Sequence, residues 1–358
     1  MNYKSRQEKL FNVLKEKNVN AYLTNDPANM EYFTGMHTTT IPPKELFMLA
    51  IEDKLYVISP SLEADYCKLM CSDCEIVEWK FSQKLDEIIS NLLKKHIIIG
   101  YENNTLNYHL LAKLRKKHYR FRWIREAIRS LRMIKDPFEI NNIKLAIKAT
   151  EKALKVAKEL IEKGDYTEKE IAKEVHIELI KNGCEGVSFD PIIATGKNAT
   201  FPHYNPSEIK LKNDDFTLVD IGGRYASYCA DLTRTFLRGK INDKKERLFN
   251  EVKNAIQLAI NEVREGKSCK ELDLVARNYL KNKGLDSYFI HSLGHGIGLE
   301  IHELPTISYR SENILKAGMV ITIEPGIYIK DEVGIRLEDD VLVQKEKGEV
   351  LSTFPLEY

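Results

Sequence analysis

The chain has 358 residues, of which 43% are hydrophobic and 30% charged, a composition typical of folded globular proteins. Its formal net charge is only +1, so its electrostatics favour neither nucleic acid nor an anionic membrane as a partner. The longest apolar runs, such as residues 97–99, are far shorter than the roughly 20 residues that span a bilayer. The N-terminal residues lack the apolar stretch of a signal peptide, which predicts a cytoplasmic protein.

The length exceeds the usual range of a single core and predicts two domains. In the first part, amphipathic helix patterns such as residues 10–14 alternate with strand-like runs at 46–51 and 55–58, which predicts a small α/β domain. A boundary is expected near residues 125–135. Beyond it, Asp136-Pro137 predicts the start of a long helix.

Two acidic residues of the second part predict a pair of carboxylates on a β-hairpin. Residues 217–221 predict a short strand, 222–224 a turn and 227–236 a returning strand. Because side chains alternate along a strand, Asp231 can approach Asp220 across the hairpin. Two such carboxylates repel each other unless a cation lies between them. The hairpin alone is equally compatible with two unrelated surface acids beside a turn.

Two glutamates and a histidine weigh against that alternative. Glu324 and Glu338 each end an apolar, strand-like run, and buried carboxylates need a partner or a metal ion. His295 lies between two glycines, where the backbone leaves room for an ion to approach. The ordered set Asp, Asp, His, Glu, Glu therefore predicts a site for two metal ions.

The sequences around these five residues resemble those of one superfamily. The segments VDIGG, SYCADLTRT, HSLGHGIGLEIHE, ITIEPGIY and GIRLEDDVLV are similar to motifs of the creatinase and methionine-aminopeptidase superfamily of pita-bread metallopeptidases. Within it they are most similar to the Xaa-Pro peptidases, prolidase and aminopeptidase P. The resemblance implies an α+β fold, with a small creatinase-like α/β N-terminal domain over 1–130 and a pita-bread catalytic domain over 131–358.

The resemblance also implies a role for each of the five residues. Asp231 and Glu338 would bridge two divalent ions. Asp220 would complete the coordination of one ion, and His295 with Glu324 would complete that of the other. Manganese or cobalt is the usual finding in the family, and zinc and iron suit the same ligands. Glu324 would also carry a proton from the attacking water to the leaving nitrogen.

Three further histidines match positions of the family. His203 and His302 resemble the pair that stabilises the tetrahedral intermediate and contacts the substrate, and His291 resembles another wall residue of the substrate site. Each histidine is also compatible with a hydrogen-bonded core position. Alternation along the predicted strands places Arg336 on the same face as Glu338, and Thr233 on the same face as Asp231. Both are predicted to orient the metal-binding carboxylates, with a surface salt bridge as the alternative for Arg336.

The implied activity is metal-dependent hydrolysis of the Xaa-Pro bond in dipeptides or short peptides. Many prolidases carry an arginine shortly after the position of His302, whereas this chain has Thr306. Aminopeptidase P activity on longer peptides with proline second is therefore the alternative. A non-catalytic peptide-binding homologue is disfavoured because suitable residues stand at all five ligand positions.

Residues 29–35, NMEYFTG, resemble the family's N-terminal motif, in which this domain roofs the active site of the partner subunit. The resemblance thus implies a homodimer. The loop 36–43, with His37 and three threonines, is compatible with the same roof or with an ordinary polar loop.

Six cysteines are scattered along the chain, unlike the framework of a small secreted domain. Cys67, Cys71 and Cys74 form a cluster that is compatible with metal binding. No fourth ligand lies at a zinc-like spacing, so incidental thiols are the default interpretation.

Overall fold

The computed structural model describes residues 2–37, 46–80, 82–102 and 106–358, so most of the predicted polar loop 36–43 lies outside the described residues. The chain separates into two compact units, Met1–Arg132 and Met133–Tyr358. None of the helices that the structure describes combines the length and the apolar character needed to cross a bilayer.

The first unit is built on a mixed six-stranded sheet in the order β4-β3-β2-β1-β5-β6. Its strands are β1 (Ala21–Thr24), β2 (Phe47–Ile51), β3 (Lys54–Pro60), β4 (Glu75–Trp79), β5 (Ile98–Tyr101) and β6 (Arg120–Trp123). Its helices are α1 (Tyr3–Glu16), α2 (Pro27–Thr34), α3 (Ala64–Met70), α4 (Leu85–Leu92), α5 (Tyr108–Lys116) and α6 (Arg125–Arg129). The central strands β1 and β2 are buried along their whole length, as expected for a sheet covered by helices.

Four long helices form the outer layer of the second unit: α7 (Pro137–Lys163), α8 (Glu168–Lys181), α9 (Asp243–Asn261) and α10 (Cys269–Asn282). The predicted start of α7 is confirmed. Asp136 caps it in a capping box with Glu139, Pro137 occupies the first turn, and Gly164 ends the helix at a φ of 77°.

The strands of this unit are short and mostly antiparallel. They are β7 (Gly186–Val187), β8 (Ile192–Thr195), β9 (Asp215–Ile221), β10 (Gly223–Tyr225), β11 (Tyr228–Cys229), β12 (Leu232–Arg238), β13 (Gly294–Gly296), β14 (Glu303–Ile307), β15 (Val320–Ile323), β16 (Gly326–Ile329), β17 (Val333–Arg336), β18 (Asp339–Val343) and β19 (Gly348–Val350). They form the sheets β12-β9-β8, β11-β10-β7, β14-β13-β15-β18-β19 and β16-β17.

Two apolar cores hold these layers together, and each contains one pair of helices and residues of more than one sheet. In the first, α7 and α8 pack through residues such as Ala153 and Val175 against Val219 and Leu232 of the β9-β12 sheet. In the second, α9 and α10 pack against the sheet that contains β15 and β18. The carboxylates predicted to bind metal lie on or beside these strands, so both cores position the site.

The six cysteines are all free thiols. Cys67 is buried and its Sγ donates to Ser59 Oγ at 3.4 Å, whereas Cys71 and Cys74 are half-buried.

Candidate metal centre

The first two carboxylates lie on a pair of strands that differs from the predicted hairpin. Strands β9 and β12 pair in antiparallel fashion, and Asp220 lies opposite Thr233 rather than opposite Asp231. The chain does not turn at residues 222–224. It continues into β10, turns at Ala226 and Ser227, where φ is 44° and 69°, and returns through β11.

Gly222 is needed for close packing rather than for the predicted turn. A Cβ placed on this residue would lie 1.9 Å from the carbonyl oxygen of Ala230. This close approach brings the end of β9 against residue 230, directly before Asp231. The pair of glycines after a strand correctly indicated that the backbone here requires glycine. The predicted reason, a turn at residues 222–224, was wrong.

The other three predicted ligands lie on or beside strands β13 to β18. His295 lies in the middle of β13, which pairs with β14 and β15. Glu324 follows β15 directly, and Glu338 lies between β17 and β18. The backbone N–H of Glu338 donates to the carbonyl of Thr233 at 3.1 Å, which ties this strand end to β12. The β9–β12 region and the β15–β18 region thus both contribute carboxylates to the same candidate metal site.

Three of the predicted ligands form a tight cluster. One ligand atom each from Asp231, His295 and Glu338 lies within 4.8 Å of the other two. Glu324 adjoins this cluster, since its Oε1 lies 3.4 Å from His295 Nε2, and Asp231 Oδ2 lies 3.6 Å from the same nitrogen. Asp220 reaches the cluster through Arg336, which pairs with its Oδ2.

The acids are held in an environment that disfavours their charge. Burial raises the pKa of Asp231 well above its usual range, and the charges of Glu338 and Asp220 raise it further. Burial and neighbouring Glu324 likewise raise the pKa of Glu338, and burial raises that of Glu324 to about 8. Burial lowers the pKa of His295 to about 4, which keeps the imidazole neutral and able to ligate.

These residues fit divalent cations. Asp220 Oδ1 and Glu338 Oε1 are buried and have no hydrogen-bond partner among the described residues. Orphaned carboxylate oxygens beside a neutral imidazole are the donors that a divalent transition ion requires, and an ion removes the repulsion between the acids. The same arrangement without cations is electrostatically unfavourable.

A buried network supports the acids from behind. Arg336 is only 4% exposed, so it does not form the surface salt bridge considered as its alternative. Its guanidinium pairs with Asp220 and donates to Thr233 Oγ1 at 3.2 Å and to Tyr328 OH at 2.7 Å. Thr233 Oγ1 donates in turn to Glu338 Oε2 at 2.6 Å. A single arginine thereby links a ligand candidate of β9 to one beside β17.

The predicted substrate-contacting histidines lie around this cluster. The ring of His302 is exposed and lies 4.5 Å, centroid to centroid, from that of His295. Burial lowers the pKa of His291 to about 3, and its Nε2 lies 3.1 Å from Tyr328 OH. His203 is exposed and close enough to His291 to influence its charge electrostatically. Its neighbour Pro202 accepts from Arg336 Nη1 at 3.4 Å.

Several supporting charges were not predicted from the sequence. Asp340 is fully buried, and its Oδ2 accepts from the N–H of Asp231 at 3.1 Å. Arg234 is also fully buried and pairs with Asp339 at 2.7 Å. The signal for Arg234 was its place between two threonines of a buried strand, where alternation points it to the opposite core.

A buried ion pair adjoins the histidines. Lys135 Nζ lies 3.0 Å from Glu303 Oε2, with both side chains almost fully buried. Glu303 directly follows His302 and also accepts from the N–H of Glu300 at 3.3 Å. The pair spans 168 positions of the chain, so no local pattern could have indicated it.

Comparison with known proteins agrees with this architecture. Metallopeptidase family M24 matches residues 141–345, and the Creatinase/Prolidase N-terminal domain matches residues 6–134. An Xaa-Pro dipeptidase of Pyrococcus furiosus is 38% identical over 328 residues, which cover 91% of each chain.

Solved structures show the same fold over nearly the whole length. The recombinant prolidase of Thermococcus sibiricus is similar with a TM-score of 0.93 and 31% identity, covering 100% of this chain and 98% of that one. The X-Pro aminopeptidase of Thermotoga maritima is similar with a TM-score of 0.87 and 33% identity, covering 98% of both chains.

The fold and the acid-lined cluster together define a metal-dependent peptidase. The chain belongs to metallopeptidase family M24. Its N-terminal unit carries the creatinase/prolidase N-terminal domain, so the predicted family and the two-domain pita-bread fold are confirmed. As a metallopeptidase, it acts with divalent metal ions.

Proposed function

We propose that this enzyme hydrolyses the Xaa-Pro bond of dipeptides with two divalent ions. The observation that carries the proposal is the cluster of Asp231, His295 and Glu338, whose ligand atoms lie within 4.8 Å of one another. Relatives named Xaa-Pro dipeptidase or prolidase support the substrate class. Asp231 and Glu338 would bind both ions.

The remaining ligands are assigned to one ion each. Asp220 would bind one of the ions, and His295 with Glu324 would bind the other. Manganese or cobalt is the proposed metal, because the resemblance favours them and the oxygen-rich donor set with one imidazole suits both. When bound, paired divalent ions polarise a scissile carbonyl and make a water molecule nucleophilic at neutral pH.

The residues of the chain supply proton transfer and charge stabilisation. Glu324 is half-buried beside the cluster, and desolvation raises its pKa to about 8, so it is suited to accept a proton from water and pass it to the proline nitrogen. His302 is exposed and its ring lies 4.5 Å from that of His295, and His203 is exposed near His291. Both histidines are proposed to stabilise the negative charge that develops on the carbonyl oxygen. His291 forms a further wall of the substrate site.

Aminopeptidase P activity on longer peptides is the second candidate. It is supported by the similarity to the X-Pro aminopeptidase of Thermotoga maritima and by Thr306. Thr306 is exposed and lies opposite His295 across β13 and β14, so the residue beside the site is neutral. A cation there would hold the free carboxylate of a dipeptide.

The test compares Ala-Pro with Ala-Pro-Ala at saturating manganese or cobalt. Dipeptidase activity requires a higher kcat/KM for Ala-Pro, whereas the opposite order assigns aminopeptidase P activity. Failure to cleave either peptide with either metal would refute the Xaa-Pro assignment.

A homodimer is also proposed, on the resemblance of residues 29–35 to the family's roof motif. Sedimentation of the purified chain at several concentrations tests it. A mass of 41.3 kDa throughout would exclude the dimer.

A further inference from the structure

His203, one of the two histidines assigned to charge stabilisation, lies in a loop with little apolar packing. The loop follows the 3₁₀ turn of residues 196–200 and runs to Ser207. Phe201 is 60% exposed, and His203 is also exposed. A catalytic group must be held near its productive position, because displacement by about 1 Å can cost 10²-fold in rate. Polar contacts must therefore add to this limited packing to fix the loop.

Glu168, the first residue of α8, provides hydrogen bonds to this loop. Its side chain is fully buried, and its carboxylate accepts five hydrogen bonds from neutral groups. Oε1 accepts from the N–H of Thr195 at 2.8 Å and from Asn198 Nδ2 at 2.9 Å. Oε2 accepts from Tyr204 OH at 2.9 Å and from the N–H and Oγ of Ser207 at 3.1 and 2.8 Å.

Each of the two carboxylate oxygens accepts hydrogen bonds from a different side of the loop. Oε1 holds the chain that leads into the loop, and Oε2 holds the chain that leaves it. Asn198 Nδ2 also donates to Tyr204 OH at 2.9 Å, which joins the two sides. The ring of Tyr204 packs against a small apolar cluster that includes Ala199 and Leu218. Because Tyr204 directly follows His203, the backbone of the histidine is anchored beside this contact.

A role in helix capping does not account for this arrangement. The start of α8 is already capped by Thr167, which forms a capping box with Glu170. Burying a carboxylate is costly unless its oxygens are satisfied, and five neutral donors offset that cost. Holding both sides of the loop requires two acceptor oxygens, which a carboxylate offers and an amide does not.

We infer that Glu168 is a positioning residue that fixes His203 for catalysis by anchoring both ends of its loop. The inference rests on the proposed function for the role of His203 but not for the anchoring itself. Among the residues that the structure describes, Glu168 forms no hydrogen bond or ion pair with the metal-binding acids. Its loss should therefore weaken the chemical step and leave metal binding intact.

The first test is hydrogen exchange of residues 196–211 in the wild type and in Glu168→Gln. In the variant, the side-chain N–H₂ group would replace one acceptor oxygen and oppose donors such as the Ser207 N–H, so these hydrogen bonds would be lost. We therefore expect hydrogen exchange across this segment to be at least tenfold faster. Glu170→Gln is the matched control, because it makes the same chemical change two residues away on an exposed residue. Equal exchange in Glu168→Gln and Glu170→Gln would overturn the anchoring. This result does not depend on activity.

The second test is a double-mutant cycle with His203→Ala, assayed on an Xaa-Pro peptide. Glu168→Gln should lower kcat about tenfold with little change in KM, and should change kcat/KM less than twofold when His203 is already alanine. Metal affinity should match that of the wild type in all variants. An equal loss in both backgrounds, or a loss of metal affinity, would show a general structural role instead. If the wild type cleaves no Xaa-Pro peptide, the proposed function fails while the exchange comparison still decides the anchoring.

Discussion

Thr233 Oγ1 and Glu338 Oε2, 105 positions apart in the chain, are joined by a 2.6 Å hydrogen bond. Thr233 lies opposite Asp220 in the β12-β9-β8 sheet. Glu338 directly precedes β18, which belongs to the β14-β13-β15-β18-β19 sheet. The same hydroxyl accepts from Arg336 Nε at 3.2 Å. One threonine thus orients a candidate bridging ligand and the arginine that pairs with another ligand candidate.

Thr233→Val should weaken metal binding without unfolding the enzyme. The valine keeps the shape of the threonine but leaves Glu338 without its donor, and loss of such a supporting contact typically costs 10- to 100-fold in metal affinity. Titration of metal against a competing chelator measures the effect. Thr217→Val is the matched control, since Thr217 is an equally buried threonine of β9 that donates to Thr195 rather than to a metal-binding acid. Equal affinities in the two variants would contradict the role of Thr233.

Metal should stabilise the folded enzyme by relieving repulsion among its acids. At a concentration 100-fold above Kd, we expect an increase of about 2.7 kcal/mol in the free energy of unfolding. Asp231→Asn removes a central charge, so it should abolish both this increase and peptidase activity. Because the asparagine does not repel Glu338, the metal-free variant should unfold at a higher temperature than the metal-free wild type. Calorimetry with and without chelator measures the metal-dependent stabilisation and the unfolding temperature of the metal-free proteins. A metal-dependent increase in stability that persists in the variant would exclude Asp231 as a ligand.

Local patterns in the sequence predicted much of this molecule. The start of α7 followed from Asp136 and Pro137. The five ligand candidates followed from two aspartates of a predicted strand pair, a histidine between glycines and two glutamates at the ends of apolar runs. The turn of the first hairpin was wrong because Gly222 serves a close approach to Ala230, while Ala226 and Ser227 adopt the left-handed backbone that glycine normally supplies.

The contacts that were missed connect distant parts of the chain. Glu168 reaches donors 27 to 39 positions away, and Arg234 reaches Asp339 105 positions away. In the sequence, Glu168 is only one of several acids at the start of an amphipathic helix. Its burial depends on how α8 packs against β8 and the loop of His203, which a local pattern does not contain.

Glu102 should make the stability of the N-terminal unit depend on pH. This glutamate is 4% exposed, and burial, with a contribution from Asp26, raises its pKa from 4.5 to about 7. The folded state therefore binds the proton more tightly than the unfolded state does. The stabilisation is complete below about pH 4.5 and is lost as the pH rises to about 7, a change of about 3 kcal/mol in the free energy of unfolding.

Glu102→Gln should remove this dependence, because the amide has no proton to lose. The two tryptophans of the chain, Trp79 and Trp123, both lie in the N-terminal unit, so their fluorescence during urea unfolding reports on that unit. Between pH 4.5 and 7.5 the wild type should lose stability relative to the variant. Parallel curves for the two proteins would refute the raised pKa.

Breaking the buried pair of Lys135 and Glu303 should destabilise the catalytic unit strongly. Lys135→Met leaves a buried carboxylate without its cation, which typically costs about 3 to 5 kcal/mol. Lys144→Met is the control, because Lys144 forms a comparable pair with Glu349 on the surface, where such pairs contribute about 1 kcal/mol or less. Urea unfolding followed by circular dichroism measures both. Adding Glu303→Gln to Lys135→Met should restore part of the loss, and equal losses for the two lysine variants would contradict the prediction.

Thr306→Arg should shift the preference of the enzyme towards dipeptides. Thr306 is exposed opposite His295, so an arginine placed there would reach the region of the site and pair with the free carboxylate of a bound dipeptide. We expect the ratio of kcat/KM for Ala-Pro to that for Ala-Pro-Ala to rise about tenfold, chiefly through a lower KM for the dipeptide, since a charge-assisted hydrogen bond contributes about 1.5 to 3 kcal/mol. Thr306→Gln introduces a long polar side chain without the charge and should leave the ratio near that of the wild type. An equal shift in both variants would show that size, rather than charge, at this position selects peptide length.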